Sequence, residues 1–122
     1  MSSPYSINLL PSTAITATLV TSDVTSIPPA KYAQVAINIS AFTSGSITPH
    51  IQGKDPASGN YYDILVGSAL AATGLTVLSV GPGLASTANV SSPNFLPSDW
   101  RVQLVAASST VLTASVGVNQ GV

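Results

Sequence analysis

The chain has 122 residues, of which 45% are apolar and only 6% charged, with three basic residues, four acidic residues and a formal net charge of −1. That length suits one domain with one core, whereas a globular chain ordinarily carries about 25% charged residues. The deficit excludes nucleic acid as a partner, which would need several phosphates neutralised, and the absence of cysteine excludes disulfides and thiolate metal sites.

In chain order, residues 1–29 are rich in Ser, Thr and Pro and read as an extended N-terminal arm or as the first strands, with alternating runs at Ser6 to Leu10 and Ile15 to Val20. Residues 30–122 read as the β-sandwich domain. Lys31 to Ser40 shows the period of two best: Val35, Ile37 and Ile39 point one way, Gln34, Asn38 and Ser40 the other. Similar runs follow at Ser46 to Gln52, Tyr61 to Val66, Leu75 to Val80, Trp100 to Val105 and Thr110 to Val118. Turn-forming residues separate them, as at Thr43-Ser44-Gly45, Gly81-Pro82-Gly83 and Ser92-Pro93-Asn94. Ile51 to Leu65 reads as a hairpin around Asp55-Pro56-Ala57-Ser58-Gly59-Asn60, and Gly67 to Gly74 leaves room for little more than a turn. The expected fold is all-β, a single antiparallel sandwich of about seven or eight strands.

The charged residues are Lys31, Lys54, Arg101, Asp23, Asp55, Asp63 and Asp99, so the surface must be built from Ser, Thr, Asn and Gln. A soluble monomer ordinarily relies on interspersed charge to resist association, so a neutral, hydroxyl-rich surface fits a protein that works in an assembly. The opening Met-Ser-Ser-Pro-Tyr-Ser has no basic and apolar leader pattern, and no apolar run reaches the roughly 18 residues of a membrane span. The expectation is a product made in the cytoplasm without a signal peptide, with no membrane partner.

Ile51-Gln52-Gly53-Lys54-Asp55-Pro56-Ala57-Ser58-Gly59-Asn60-Tyr61-Tyr62-Asp63-Ile64-Leu65 resembles a pattern found in small virion proteins of tailed bacteriophages. The resemblance continues through the small-residue segment Ala69 to Gly74, the strand and turn Val77 to Gly83, Leu96-Pro97-Ser98-Asp99-Trp100-Arg101-Val102, and a last strand from Leu112 to Val118. It spans roughly Val35 to Val118 and rests on small and turn-forming residues, not on a catalytic signature. It implies a structural component of the virion, first of all a capsid decoration (cement) protein. The implied partners are the major capsid protein and copies of the chain itself, a homo-oligomer for which local three-fold positions suggest a trimer by analogy. Alternatives are a neck or tail component, or a glycan- or receptor-binding β module using Tyr61 and Tyr62.

Enzyme chemistry has little material here, and no catalytic, cofactor or metal site is expected. His50 falls on the opposite parity from Ile47 and Ile51, as a histidine on the more exposed sheet face. His50 and Asp63 could join a serine on paper, but no Gly-x-Ser-x-Gly elbow is present. Gly53-Lys54 lacks the rest of a phosphate loop. Asp55, Asn60 and Asp63 could offer oxygens to calcium, but an Asx turn and a solvated aspartate are the simpler expectation. Trp100, in phase with Val102 and Leu104, is expected in the core, with Arg101 and Gln103 outward. Tyr61 and Tyr62 must face opposite ways; with Tyr62 in phase with Ile64 and Val66, Tyr61 is the expected exposed ring. The candidate partner contacts are therefore Tyr61, Tyr5, Lys54 and Asp55.

Overall fold

A computed structural model describes residues 6–25 and 30–121, and every regular element among them is a β-strand. In chain order these are β1 (Ser6–Ile15), β2 (Leu19–Val20), β3 (Val24–Thr25), β4 (Tyr32–Ser44), β5 (Ile47–Lys54), β6 (Tyr61–Val66), β7 (Gly74–Val80), β8 (Ser91–Ser92), β9 (Asp99–Ala106) and β10 (Val111–Gly121). They form the two packed sheets of a β-sandwich. The first, sheet A, has the order β1-β10-β4-β7-β8; the second, sheet B, has β2-β9-β5-β6, with β3 also paired to β9. All pairs are antiparallel except β7 with the two-residue β8.

The alternation expected in each long strand is present and fixes which residues meet between the sheets. Sheet A contributes Val35, Ile37, Ile39, Leu78, Val80, Leu112, Ala114, Val116 and Val118, and sheet B contributes Ile47, Ile51, Leu65, Trp100, Val102 and Leu104, all buried. Each large aliphatic or aromatic side chain taken out of water in this way contributes about 1.5–3 kcal/mol. Trp100 is fully buried as expected, with Arg101 and Gln103 on the other side of β9.

Ile15 to Val20 is not one strand. The chain leaves sheet A at Ile15, bends, and enters sheet B at Leu19, where β2 pairs with Leu104 and Gln103 of β9. The apolar alternation continues through the bend because Ile15 and Leu19 face the interior from two different sheets. Residues 1–5, including Tyr5, and 26–29 lie outside the described residues, so the candidate contact at Tyr5 receives no structural account.

The two crossings from sheet to sheet at β4–β5 and β9–β10 lie side by side and are tied by Thr110. Its hydroxyl donates to the carbonyl oxygen of Ala107 (2.7 Å), stands 3.1 Å from that of Ser46 as an alternative acceptor, and accepts from the Ser46 amide at 3.2 Å. Gly45 turns there at φ 79°, and a Cβ at that position would stand 2.5 Å from the Thr110 Cα. Only glycine both adopts the dihedral and leaves room for the neighbouring corner.

Candidate functional site

The β5–β6 hairpin forms as expected, and its loop is closed by Asp55. The Asp55 side chain accepts from the Ala57 amide (3.0 Å) and the Ser58 hydroxyl (2.6 Å), an Asx turn, while the Gly59 amide donates to the Asp55 carbonyl at 2.8 Å. The Ser58 hydroxyl, with the Ala57 amide, holds the Asp55 carboxyl below its ordinary pKa.

Past the loop the register carries a bulge. Lys54 pairs with Tyr61, Gly53 with Tyr62 and Gln52 with Asp63, but Ile51 pairs with Leu65, leaving Ile64 as the extra residue. Tyr62 and Leu65 therefore share the inner side although their numbers differ by three. The expected phase of Tyr62 with Ile64 and Val66 fails for this reason. Tyr62 is the more exposed ring, at 48%, where the sandwich opens at its end, and Tyr61 on the outer face is half-buried.

Tyr61 is covered by its neighbours. The Arg101 guanidinium carbon lies 3.4 Å from its ring centroid and the Lys54 ammonium 5.8 Å from it. Its hydroxyl donates to both Asp23 carboxylate oxygens, at 2.7 and 2.9 Å, and Lys54 approaches the same carboxylate at 3.5 Å. Arg101 Nε donates to Gln52 Oε1 at 2.9 Å, and Gln52 Nε2 donates to Gln103 Oε1 (3.2 Å) and Asp63 Oδ1 (3.1 Å). His50 Nδ1 stands 3.1 Å from that same Asp63 oxygen.

The outer face of sheet B is thus a connected polar network in which Lys54 and Arg101 stand near Asp23, while Gln52 and His50 meet Asp63. The hydrogen bond from Tyr61, opposed by slight burial and reinforced by Lys54 and Arg101, lowers the Asp23 pKa; the same bond raises that of Tyr61. For Asp63, burial pushes upward as the largest single influence, but the hydrogen bonds from Gln52 and His50 and the attraction of His50 together leave the carboxyl below its ordinary value. Of the candidate contacts, Tyr61 and Lys54 are engaged in this network and Asp55 in its turn. Among the described residues no group of three or more His, Cys, Asp and Glu is placed to hold a metal.

Sheet A presents a different outer face. None of β1, β4, β7, β8 and β10 contains Asp, Glu, Lys, Arg or His. Register sets its outward residues in rows. Ser6, Asn119, Gln34 and Ser79 lie across β1, β10, β4 and β7; the next row is Asn8, Gly117, Ala36 and Val77; the next runs Ser115, Asn38, Leu75. The middle row has almost no side chain at its centre, and a Cβ at Gly117 would meet nothing within 4 Å. The result is a hollow of about 490 Å³ rimmed by Ser6, Asn8, Ser115 and Asn119. On its β7 side stand Leu75, 66% exposed, and Val77, 42% exposed.

Sequence reasoning singled out the hairpin and missed this face. Two signals were available: the strand glycine in Val116-Gly117-Val118, a position that often admits a close neighbour, and the complete absence of charge from three long runs. No protein-family model matches the chain, and no curated protein is significantly similar to it.

Proposed function

We propose that this chain is a non-enzymatic structural subunit of a tailed-phage particle, a capsid decoration protein that seats the outer face of sheet A on the major capsid protein and stabilises the head. The observation that carries the reading is the charge-free outer face of sheet A with its central Gly117–Ala36 hollow. Covering such a face removes carboxamides and hydroxyls from water, which can re-bond across the interface, and strips no ion of its hydration. The exposed Leu75 and Val77 supply apolar area on the same face. Sheet B engages its charged side chains with neighbours on its own outer face, Lys54 with Asp23, Arg101 with the Tyr61 ring and Asp63 with Gln52, as expected of the side that stays in solvent.

The phage assignment itself is supported by the resemblance of residues 51–65 and of the later Pro-Gly and Trp-Arg-Val segments to small virion proteins. Decoration acts through number. Many identical weak seats, repeated by the symmetry of a shell, give avidity without a strong single interface, and subunits that bridge neighbouring capsomers resist expansion of the head. Copies of the chain meeting around a local symmetry axis would form the homo-oligomer.

The test is sedimentation of the purified protein with capsids that lack it, at low and high salt. Saturable binding that is unchanged at high salt is the expected result, because the seat carries no charge to be screened. Failure to associate with capsids, or release by salt, overturns the reading.

A further inference from the structure

A strand at the edge of a sheet offers unpaired N–H and C=O groups to any other strand, and folded chains ordinarily blunt such edges with proline, charge, a bulge or brevity. Most edges of this sandwich are blunted in one of these ways. β1 contains Pro11 and two shifts of register against β10. β6 carries the Ile64 bulge and the charge of Asp63, and β2 and β3 are two residues long. β7 differs from all of them. It runs from Gly74 to Val80 against β4 without a register shift, and β8 covers its other side only at Ser79 and Val80. It holds neither charge nor proline, and the outward side chains of its open part are Leu75 and Val77, 66% and 42% exposed.

One hydrogen bond fixes the direction of the free backbone groups. The Ser79 amide donates to the Val90 carbonyl at 3.0 Å, on the side away from β4. Backbone groups alternate in direction along a strand, so the N–H and C=O of Val77 and of Leu75 point to that same side. Among the described residues neither takes a hydrogen-bond partner there.

We propose that β7 is a self-association edge, on which a second copy of the chain pairs its own β7 antiparallel across a two-fold axis at Thr76. In that register Leu75 stands opposite the partner's Val77, and every N–H and C=O that these residues turn outward meets its complement. A register displaced by two residues would set Leu75 against Ser79, whose amide is already given to Val90, or Val77 against Thr73, which lies before the strand. Leu75 and the partner's Val77 become cross-strand neighbours on one face, and no like charges oppose one another. The best occupant is an uncharged strand without proline that has apolar side chains and free backbone groups on two alternate residues. β7 itself meets each requirement, which makes the contact isologous. The joined sheet widens the charge-free outer face of sheet A, yet the pairing uses no residue that lines the Gly117 hollow. It is measured without capsids, so it stands or falls apart from the capsid reading.

Sedimentation velocity of the full chain between about 10 µM and about 1 mM should show a reversible passage from monomer to dimer, as suits a small interface. Leu75→Lys, at a mostly exposed position that leaves the core intact, should raise the dissociation constant at least about tenfold. Val77→Pro deletes a donor that faces solvent in the monomer, where an edge strand tolerates proline, and should act in the same direction. With labelled and unlabelled chains mixed, NMR should find a contact between the Thr76 Hα protons of the two copies, because residues facing in a non-hydrogen-bonded pair bring their Cα atoms to about 4.5 Å. A chain that stays monomeric up to about 1 mM overturns the proposal. So does a dimer that Leu75→Lys leaves undiminished or that lacks the Thr76 contact. Loss of the dimer in Gly117→Lys together with its retention in Leu75→Lys would assign self-association to the face of sheet A and overturn the edge pairing as well.

Discussion

Tyr61 and Tyr62 are chain neighbours with opposite roles, and the difference is a matter of what each ring touches. Tyr61 lies against Arg101 and donates its hydroxyl to the Asp23 carboxylate, and that hydrogen bond, against the opposing pull of Lys54 and Arg101, makes its phenol lose a proton less readily than an ordinary tyrosine. Ultraviolet titration should find one tyrosine ionising above the ordinary value of 10.0, and Asp23→Asn should return it toward that value. A raised folded pKa contributes stability that is present below the unfolded value and lost as pH rises through the folded one. The lowered pKa values of Asp23, Asp55 and Asp63 work in the opposite sense. Their contribution is present above the unfolded value of 3.8 and is lost as pH falls through the folded values. Urea midpoints measured down the acid range should therefore show this loss only below about pH 4, and Asp23→Asn should flatten the fall; an unchanged acid profile in that variant would contradict the geometry at Tyr61.

At the scale of strands and turns, two positive-φ glycines separate strain from space. Gly45 and Gly59 both sit at φ 79°, but only Gly45 abuts another segment, the Thr110 corner. Gly59→Ala should cost about 1–2 kcal/mol from backbone strain alone. Gly45→Ala should cost clearly more and disturb amide exchange at Ser46 and Ala107, the partners of Thr110. In the core, Trp100→Ala should cost about 3–5 kcal/mol in equilibrium unfolding, because nothing nearby can fill a fully buried indole site. Most of this layout was legible in the sequence, since β4, β9 and β10 show apolar residues at every second position over most of their length and are buried on that face. What was not legible follows from geometry that period two cannot carry. β3 and β8 are two residues long and have no pattern to show. The passage from Ile15 to Leu19 keeps its alternation while changing sheets, and the Ile64 bulge puts Leu65 instead of Val66 on the inner side without altering composition. The hairpin pointed to the less exposed ring because Arg101 and Asp23 cover Tyr61 on the outer face, a contact between distant segments that no local pattern carries, and the exposed Phe95 stands isolated among turn residues.

Charge is spread unevenly over the two sheets, with Lys31 immediately before β4 and bonded through its amide to the Gly121 carbonyl of β10. Asp63, Lys54 and Arg101 stand on sheet B strands, Asp23 joins their network from the segment between β2 and β3, and the strands of sheet A carry no charge at all. A chain with so few charges need not segregate them, and the segregation is what makes one face inexpensive to cover. Gly117 lies at the centre of that face with open space above it, so Gly117→Lys should leave the thermal midpoint nearly unchanged while placing a long cation in the hollow. Tyr61→Ala breaks the network on the other face and leaves the hollow untouched. The most direct measurement is co-sedimentation of these two variants with capsids lacking the protein, beside the unaltered chain. Gly117→Lys is expected to lose at least about tenfold in affinity, a change of about 1.4 kcal/mol per seat, while Tyr61→Ala binds like the parent. Full binding by Gly117→Lys together with loss in Tyr61→Ala would place the seat on sheet B and contradict the account.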